Sequence, residues 1–342
     1  MAQLAKIFNA LFEPLTSRQK EVLVARFGLR GKEMETLEDI GKRYGITRER
    51  VRQIEASALQ VMGKKFSATS PLVQMLAGWQ VDLKSHGGTK RQDSFLGNLR
   101  KSFEGLNEGY VALLAEATGA FSFYPEDKDY WPFYYLTKSD LKSAAGFIDG
   151  WVNFLKAKKS DILAGAYQDN LGKFIKGKGV NKNHAESYLG ISKKICANSF
   201  GDIGLAEWPE IKPQTVRDKI YLVLKKGGEP LHFESIAKSI NEVKLDKSIA
   251  LAPTVHNELI KDERFVLVGR GTYALKEQGY EPGTAREVIQ RILKRQGPLH
   301  IHDVMKHIQK QRFFKPNTVL INLQNKDYFE RLKDGRYKVR EA

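Results

Sequence analysis

The stretch from Gly41 to Leu59 constrains this chain more than any other. It reads Gly-Lys-Arg-Tyr-Gly-Ile-Thr-Arg-Glu-Arg-Val-Arg-Gln-Ile-Glu-Ala-Ser-Ala-Leu. The pattern predicts two short helices joined by a tight turn at Gly45. Thr47 is suited to cap the second helix, because its hydroxyl can accept an otherwise unpaired backbone N–H. Val51, Ile54, Ala58 and Val61 recur at helical spacing and would face a core. Arg48, Glu49, Arg52 and Gln53 cluster on the opposite face. An exposed helix face with those side chains suits the reading of base edges in a DNA major groove.

Three pieces occur in order around this stretch. They are Leu15-Thr-Ser-Arg-Gln-Lys-Glu-Val-Leu-Val-Ala-Arg-Phe-Gly-Leu29, Thr36-Leu-Glu-Asp-Ile-Gly41 and Thr47-Arg-Glu-Arg-Val-Arg-Gln-Ile-Glu55. Together, over about residues 15–65, they resemble region 4 of bacterial sigma-70 factors. In that family the region binds the −35 promoter element and the flap of the RNA polymerase β subunit. The resemblance implies base contacts from Arg48, Glu49, Arg52 and Gln53. Arginine donates a bidentate pair to guanine, glutamine does so to adenine, and glutamate accepts from cytosine. It also implies phosphate contacts from Arg50 and Lys64, which would set register. The helix starts at Thr36, Leu37 and Glu38, and at Thr47, offer backbone N–H groups to further phosphates. A polymerase contact would come from the apolar surface around Leu15, Val22, Leu23 and Phe27, some of which must instead close the core of the small domain. Nothing before residue 15 resembles the promoter-melting and core-binding regions of a full sigma factor. A regulator or accessory subunit is therefore expected, not an independent initiator.

Charge placement agrees with a polyanionic partner. The net charge is +16 over 342 residues. Residues 1–65 carry 13 Lys+Arg against 8 Asp+Glu, residues 66–210 carry 17 against 16, and residues 211–342 carry 26 against 16. The basic surplus sits at the two ends, where DNA is the natural partner. Lysine that merely keeps the protein in solution is the competing reading for the C-terminal part. With 42% hydrophobic residues, packed cores are expected and wholesale disorder is not. No apolar run approaches bilayer length, and no signal-peptide pattern opens the chain. The single cysteine, Cys196, cannot form an internal disulfide and reads as a buried thiol in a reducing compartment. A cytoplasmic, nucleoid-associated location follows.

Residues 66–210 predict helices near 71–84, 91–119, 138–158, 160–176 and 182–197. Within them lies the aromatic run Phe121-Ser-Phe-Tyr-Pro-Glu-Asp-Lys-Asp-Tyr-Trp-Pro-Phe-Tyr-Tyr135. Sigma factors melt promoters with exposed aromatics, but their melting region precedes region 4, whereas this run follows it and has no basic flank. Packing in an all-helical core is the reading adopted.

The C-terminal third repeats itself. Thr215-Val-Arg-Asp-Lys-Ile220 and Pro230-Leu-His-Phe-Glu-Ser-Ile-Ala237 return as Thr284-Ala-Arg-Glu-Val-Ile289 and Pro298-Leu-His-Ile-His-Asp-Val-Met305. Each copy continues into a third helix, Thr254 to Lys261 and Thr318 to Asn325, and closes on a hairpin whose turn uses Gly269-Arg-Gly271 or Asp334-Gly335. Three helices and a hairpin make a winged helix. The first copy, about residues 213–277, resembles the HARE-HTH family through Asp218-Lys-Ile-Tyr-Leu-Val-Leu224, Pro230-Leu-His-Phe233 and Gly271-Thr-Tyr-Ala-Leu275. That family is known from the RNA polymerase delta subunit and from chromatin proteins. The second copy, about 283–340, is more divergent. Lys261, Arg264 and Arg270 in the first copy, and Lys315, Arg331, Lys333 and Arg336 in the second, are candidate DNA contacts; solvated wings are an equal alternative. His300-x-His302 lacks partners at zinc spacing, and the glycines and lysines of 176–182 form no Walker pattern. No catalytic residue, metal or cofactor is expected.

The expected architecture is mainly α. It comprises a helix-turn-helix domain at 1–65, a helical spacer or regulatory domain at 66–210, and winged helices with small β-hairpins at 211–280 and 281–342. The expected partners are double-stranded DNA and RNA polymerase through the β flap, with no membrane.

Overall fold

A computed structural model describes residues 8–66, 70–102, 106–246, 248–280, 283–309, 314 and 316–340. The chain divides into two compact units, Met1–Cys196 and Ala197–Ala342.

The first unit opens with a helical segment over residues 8–12 (α1), then α2 (Ser17–Arg26), α3 (Leu37–Tyr44) and α4 (Arg48–Phe66). Local chemistry sets these boundaries. Pro14 stands before Thr16, which forms a capping box: the Gln19 N–H donates to the Thr16 hydroxyl at 3.3 Å, and the Gln19 side-chain oxygen accepts the Thr16 N–H at 3.0 Å. The Thr36 hydroxyl accepts the Asp39 N–H at 3.1 Å and starts α3. Gly45 ends it at φ 65°, a conformation costly for other residues. The Thr47 hydroxyl then accepts the Arg50 N–H at 3.2 Å.

Helix α5 (Ser70–Ser85), β1 (Thr89–Arg91), α6 (Gln92–Ser102), α7 (Glu108–Thr118), β2 (Ser122–Tyr124) and β3 (Phe133–Tyr135) follow. The three strands form one antiparallel sheet in the order β1-β3-β2, with Thr89 and Ser122 both opposite Tyr135. The aromatic run, expected to pack in an all-helical core, therefore supplies two strands of a small sheet. Phe121, Phe133 and Tyr134 are buried, whereas Phe123 and Trp131 are exposed. The unit ends with α8 (Lys138–Ala157), a short turn α9 (Lys159–Asp161), a π-helical segment at Ile162–Ala166, α10 (Tyr167–Lys178), α11 (Lys182–Ile191) and β4 (Ile195–Ala197). Cys196, expected to be buried, is half-buried, because no residue of this three-residue strand is fully covered.

Two cores meet in the helix-turn-helix. Val22 and Ala25 of α2 pack with Ile40 of α3 and Val51 of α4. On the other side, Leu23, Phe27 and Leu29 join Met62, Trp79, Phe95, Leu114 and Tyr134 in a single larger core. The backbone comes close at this junction: a Cβ on Gly63 would lie 2.6 Å from the Ala117 carbonyl oxygen.

In the second unit, β5 (Ile203–Leu205) precedes α12 (Val216–Gly227), β6 (Leu231–His232), α13 (Phe233–Val243), α14 (Ala252–Lys261), β7 (Phe265–Gly269) and β8 (Thr272–Leu275). The sheet order is β6-β8-β7. The same order of elements returns as α15 (Ala285–Gln296), α16 (Ile301–Gln309), α17 (Pro316–Leu323), β9 (Phe329–Arg331) and β10 (Tyr337–Val339), with Leu299 bridging Tyr337 in the place of β6. The copies have separate cores, one around Ile220, Ile236 and Leu275, the other around Ile289, Val304 and Tyr337. Each begins with a capping box, Thr215 with Asp218 and Thr284 with Glu287. Each also sets its histidine against a wing glycine. A Cβ on Gly271 would lie 2.5 Å from His232, and one on Gly335 would lie 3.7 Å from His300.

Candidate nucleic-acid interface

Helix α4 is held from behind and open in front. Val51 and Ala58 are fully buried, and Ile54 and Val61 half-buried. Arg48, Glu49, Arg52 and Gln53 are all exposed, as are Thr47 and Arg50. Four of these side chains pair with one another, Arg52 with Glu49 and Arg50 with Gln53. The Arg52 guanidinium donates to both Glu49 carboxylate oxygens, at 2.7 and 2.9 Å, and Arg50 donates to the Gln53 side-chain oxygen at 3.1 Å. The Arg52 hydrogen bonds hold the Glu49 carboxyl below its usual range, and Glu49 in turn raises Arg52. The outer face of α4 is thus exposed, and Glu49 is tied to Arg52 and Arg50 to Gln53.

Arg26 and Glu55 position this helix and were not singled out by sequence reasoning. Glu55 is buried at 9% exposure and accepts from Arg26 at 3.2 Å, while Arg26 also donates to the Glu35 carbonyl at 3.3 Å. Arg43 pairs with the Glu35 carboxylate at 2.7 Å. The linker into α3 and the back of α4 are therefore fastened to α2. The turn tolerates no bulk at Gly41, where a Cβ would lie 2.7 Å from the Ile46 carbonyl oxygen.

The candidate phosphate contacts are unequal. Lys64 is exposed. At the start of α3, the helix carries Glu38 and Asp39, and the Thr36 hydroxyl donates to Asp39 at 2.6 Å. Thr36, Leu37 and Glu38 thus present their N–H groups beside two carboxylates, which oppose a phosphate there. The candidate polymerase contacts need correcting. Leu15, Val22, Leu23 and Phe27 are 4%, 0%, 0% and 5% exposed and form core, so these four side chains offer no apolar surface. The physical reason is that α2 is covered on two sides. Val22 packs against α3 and α4, and the other three are closed in by the larger core that runs on through α5 to β3.

In the first winged copy, Lys261 stands 3.9 Å from Glu258, and Arg264 is bound by Asp262 at 2.7 Å with Asp218 at 3.9 Å. Arg270 is exposed at the hairpin turn. The module also exposes Ile249, Leu251, Ile260 and Leu267, at 51–78%. In the second copy, Arg336 is bound by Asp334 at 2.6 Å, whereas Arg331 and Lys333 make no ion pair among the described residues. Lys315 lies outside the described residues.

The cations beside the exposed Trp131 of the β2–β3 hairpin are already paired. Arg91 and Lys193 stand 4.9 and 4.8 Å from the Trp131 ring, but Asp93 and Glu126 pair with them at 2.6 and 2.5 Å. Among the described residues, no group of three or more His, Cys, Asp and Glu side chains could hold a metal ion, and no helix is long and apolar enough to cross a membrane.

A capped helix pair with a glycine turn, a clamped second helix and an arginine- and glutamine-bearing outer face define a DNA-binding helix-turn-helix. Residues 11–62 match the family described as sigma-70, region 4. Residues 214–278 match HARE-HTH, a helix-turn-helix domain described from ASXL and restriction endonuclease proteins among others. Both are helix-turn-helix types, not enzyme families. Over 58 residues the chain is 52% identical to the RNA polymerase sigma factor SigA of Clostridium acetobutylicum, covering 17% of this chain and 14% of that protein. Over 52 residues it is 50% identical to SigA of Lactococcus lactis subsp. cremoris, covering 15% and 14%. The chain thus spans about one-seventh of the length of these relatives.

Proposed function

We propose that this chain is a sequence-specific transcription factor that docks its region 4-like module on −35-like promoter DNA, on RNA polymerase through the β flap, or on both. One observation carries the reading: Arg48, Glu49, Arg52 and Gln53 form an intact, reachable face on a helix whose back is buried. Affinity would come from phosphate neutralisation and specificity from these few base contacts. No chemical step is required. In this reading residues 1–65 read DNA, residues 66–210 support and regulate that module, and the winged helices at 211–280 and 281–342 add contacts, all in the cytoplasm at the nucleoid. Its test compares binding to a −35-like duplex and a scrambled duplex, with cross-linked purification from the native host to recover promoter fragments and polymerase. Equal affinity for both duplexes at low salt, unchanged by alanine at Arg48 and Gln53, would sink it.

A second reading is a protein-interaction adaptor of the transcription machinery. The exposed Ile249, Leu251, Ile260 and Leu267 favour it for the first winged copy, since these side chains suit an apolar protein surface and not phosphates. Salt separates the two readings: DNA binding falls steeply with salt, and an apolar interface does not.

A further inference from the structure

The two winged copies share a fold and differ in where they carry charge. In the second copy the third helix, Pro316–Leu323, contains no charged residue and exposes Leu320 and Ile321 at 36% and 66%. Such a helix neutralises no phosphate on entering a groove, so it releases no counterions. The hairpin that follows is the opposite. From Phe329 to Arg340 it holds Arg331, Lys333, Arg336, Lys338 and Arg340 against Glu330 and Asp334. The two acids are spent on specific partners, Asp334 on Arg336 at 2.6 Å and Glu330 on Lys338 at 3.1 Å.

Arg331, Lys333 and Arg340 are left without a carboxylate among the described residues. Arg340 donates to the Lys326 carbonyl at 2.9 Å, and Arg331 stands 6.0 Å from the Tyr337 ring. The backbone beneath them is closed: the Leu332 N–H donates to the Arg336 carbonyl at 2.8 Å, the Gly335 N–H to the Leu332 carbonyl at 3.0 Å, and Gly335 supplies φ 85°. In the first copy the equivalent span, Phe265–Lys276, holds only Arg270 and Lys276 as charged residues and exposes Leu267.

We propose that the hairpin of the second winged copy grips the DNA backbone without regard to sequence, through Arg331, Lys333 and Arg340, while its third helix stays out of the groove. This rests on the DNA-binding reading above and gives that reading a second, unspecific hold. The sequence preference belongs to α4 and the hairpin adds only affinity.

The test uses the full chain with −35-like and scrambled duplexes, read by fluorescence anisotropy across a salt series. Each of these cations changed to glutamine (Arg331→Gln, Lys333→Gln, Arg340→Gln) should make the plot of log affinity against log salt shallower by about 0.9 on both duplexes, and the triple change by about 2.7. The ratio between the duplexes should not change, and Ile321→Ser should leave the slope alone. An unchanged slope in the triple variant, with the unaltered chain still preferring the −35-like duplex, overturns the hairpin grip and spares the function. A shallower slope with no preference in any variant does the reverse. DNA affinity lost in Ile321→Ser, with the fold intact by circular dichroism, would place the helix in the groove and also overturn the proposal.

Discussion

Gly109 lies against the carbonyl group of Phe27 so closely that a Cβ on its α-carbon would fall 1.8 Å from that oxygen. The contact joins the start of α7 to the end of α2, so the helix-turn-helix is built into the larger core. Gly109→Ala should therefore be severe for a single methyl, costing about 1–3 kcal/mol or more, because backbone must move to admit it. Gly78→Ala, on an open face of α5 where a Cβ meets nothing, should be neutral or mildly stabilising. Urea unfolding of both variants checks the pair. Equal stability would mean that the two helices do not pack this closely in solution.

The Glu49–Arg52 pair yields a prediction for each partner. Arg52→Ala should remove a base contact and reduce discrimination between matched and mismatched duplexes by roughly tenfold to a hundredfold. Glu49→Ala frees Arg52 and deletes a negative charge near the phosphates. It should raise affinity for scrambled DNA while lowering the matched-to-scrambled ratio. Competition titrations read both quantities, and a Glu49→Ala variant that bound scrambled DNA more weakly would contradict the assignment.

Much of this site was legible in sequence because it is local. Thr47 as the cap of α4, the helical spacing of Val51 and Ala58, and Gly45 at its turn act within a few residues, so their spacing carried the information. The repeat was legible for the same reason, since Thr215 and Thr284 open like copies and His232 and His300 meet like glycines. What failed was long-range. The three-residue strands β1, β2 and β3 are too short to show alternation, and β1 pairs with a strand far along the chain. Leu15, Val22, Leu23 and Phe27 read as apolar, but nothing local says what covers them. Arg26 and Glu55 gave no signal at all, because their pairing exists only once α2 crosses α4.

In the first winged copy, Lys219 is buried at 3% exposure and held by Asp246 at 2.5 Å and by the Ser248 hydroxyl at 2.8 Å. Hydrogen bonds from Lys219 and Ser248 hold the Asp246 carboxyl down to about 2. A depressed carboxylate stabilises the fold above its ordinary value near 3.8, and that contribution is lost as pH falls through about 2. Asp246→Asn should strand the Lys219 charge. Because Asp246 is 41% exposed and screened, the expected cost is about 1–2 kcal/mol, below the range for a fully buried pair. Lys219→Met should cost less, since it removes the buried charge together with its need for a partner. Thermal melts at pH 7 and pH 2 check both: the gap between Asp246→Asn and the unaltered chain should close in acid.

The last prediction concerns the cluster behind α4. Arg26 pairs with Glu55, and partial burial together with Glu55 raises the Glu116 carboxyl of α7, an effect Arg26 opposes. A raised carboxyl destabilises the fold while it is ionised, and the penalty fades as pH falls through the raised value and the group takes up its proton. Glu116→Gln should therefore raise the melting temperature at pH 7 and lose that advantage in acid. Arg26→Ala should be destabilising, because it leaves the buried Glu55 without its cation. Adding Glu116→Gln should recover part of the loss, since one of the two carboxylates that Arg26 served is gone. The double-mutant cycle should show a coupling of about 0.5–3 kcal/mol, as expected for groups in one electrostatic network. Strict additivity would mean that α7 does not sense the charge of the helix-turn-helix, and that the two halves of this unit share packing alone.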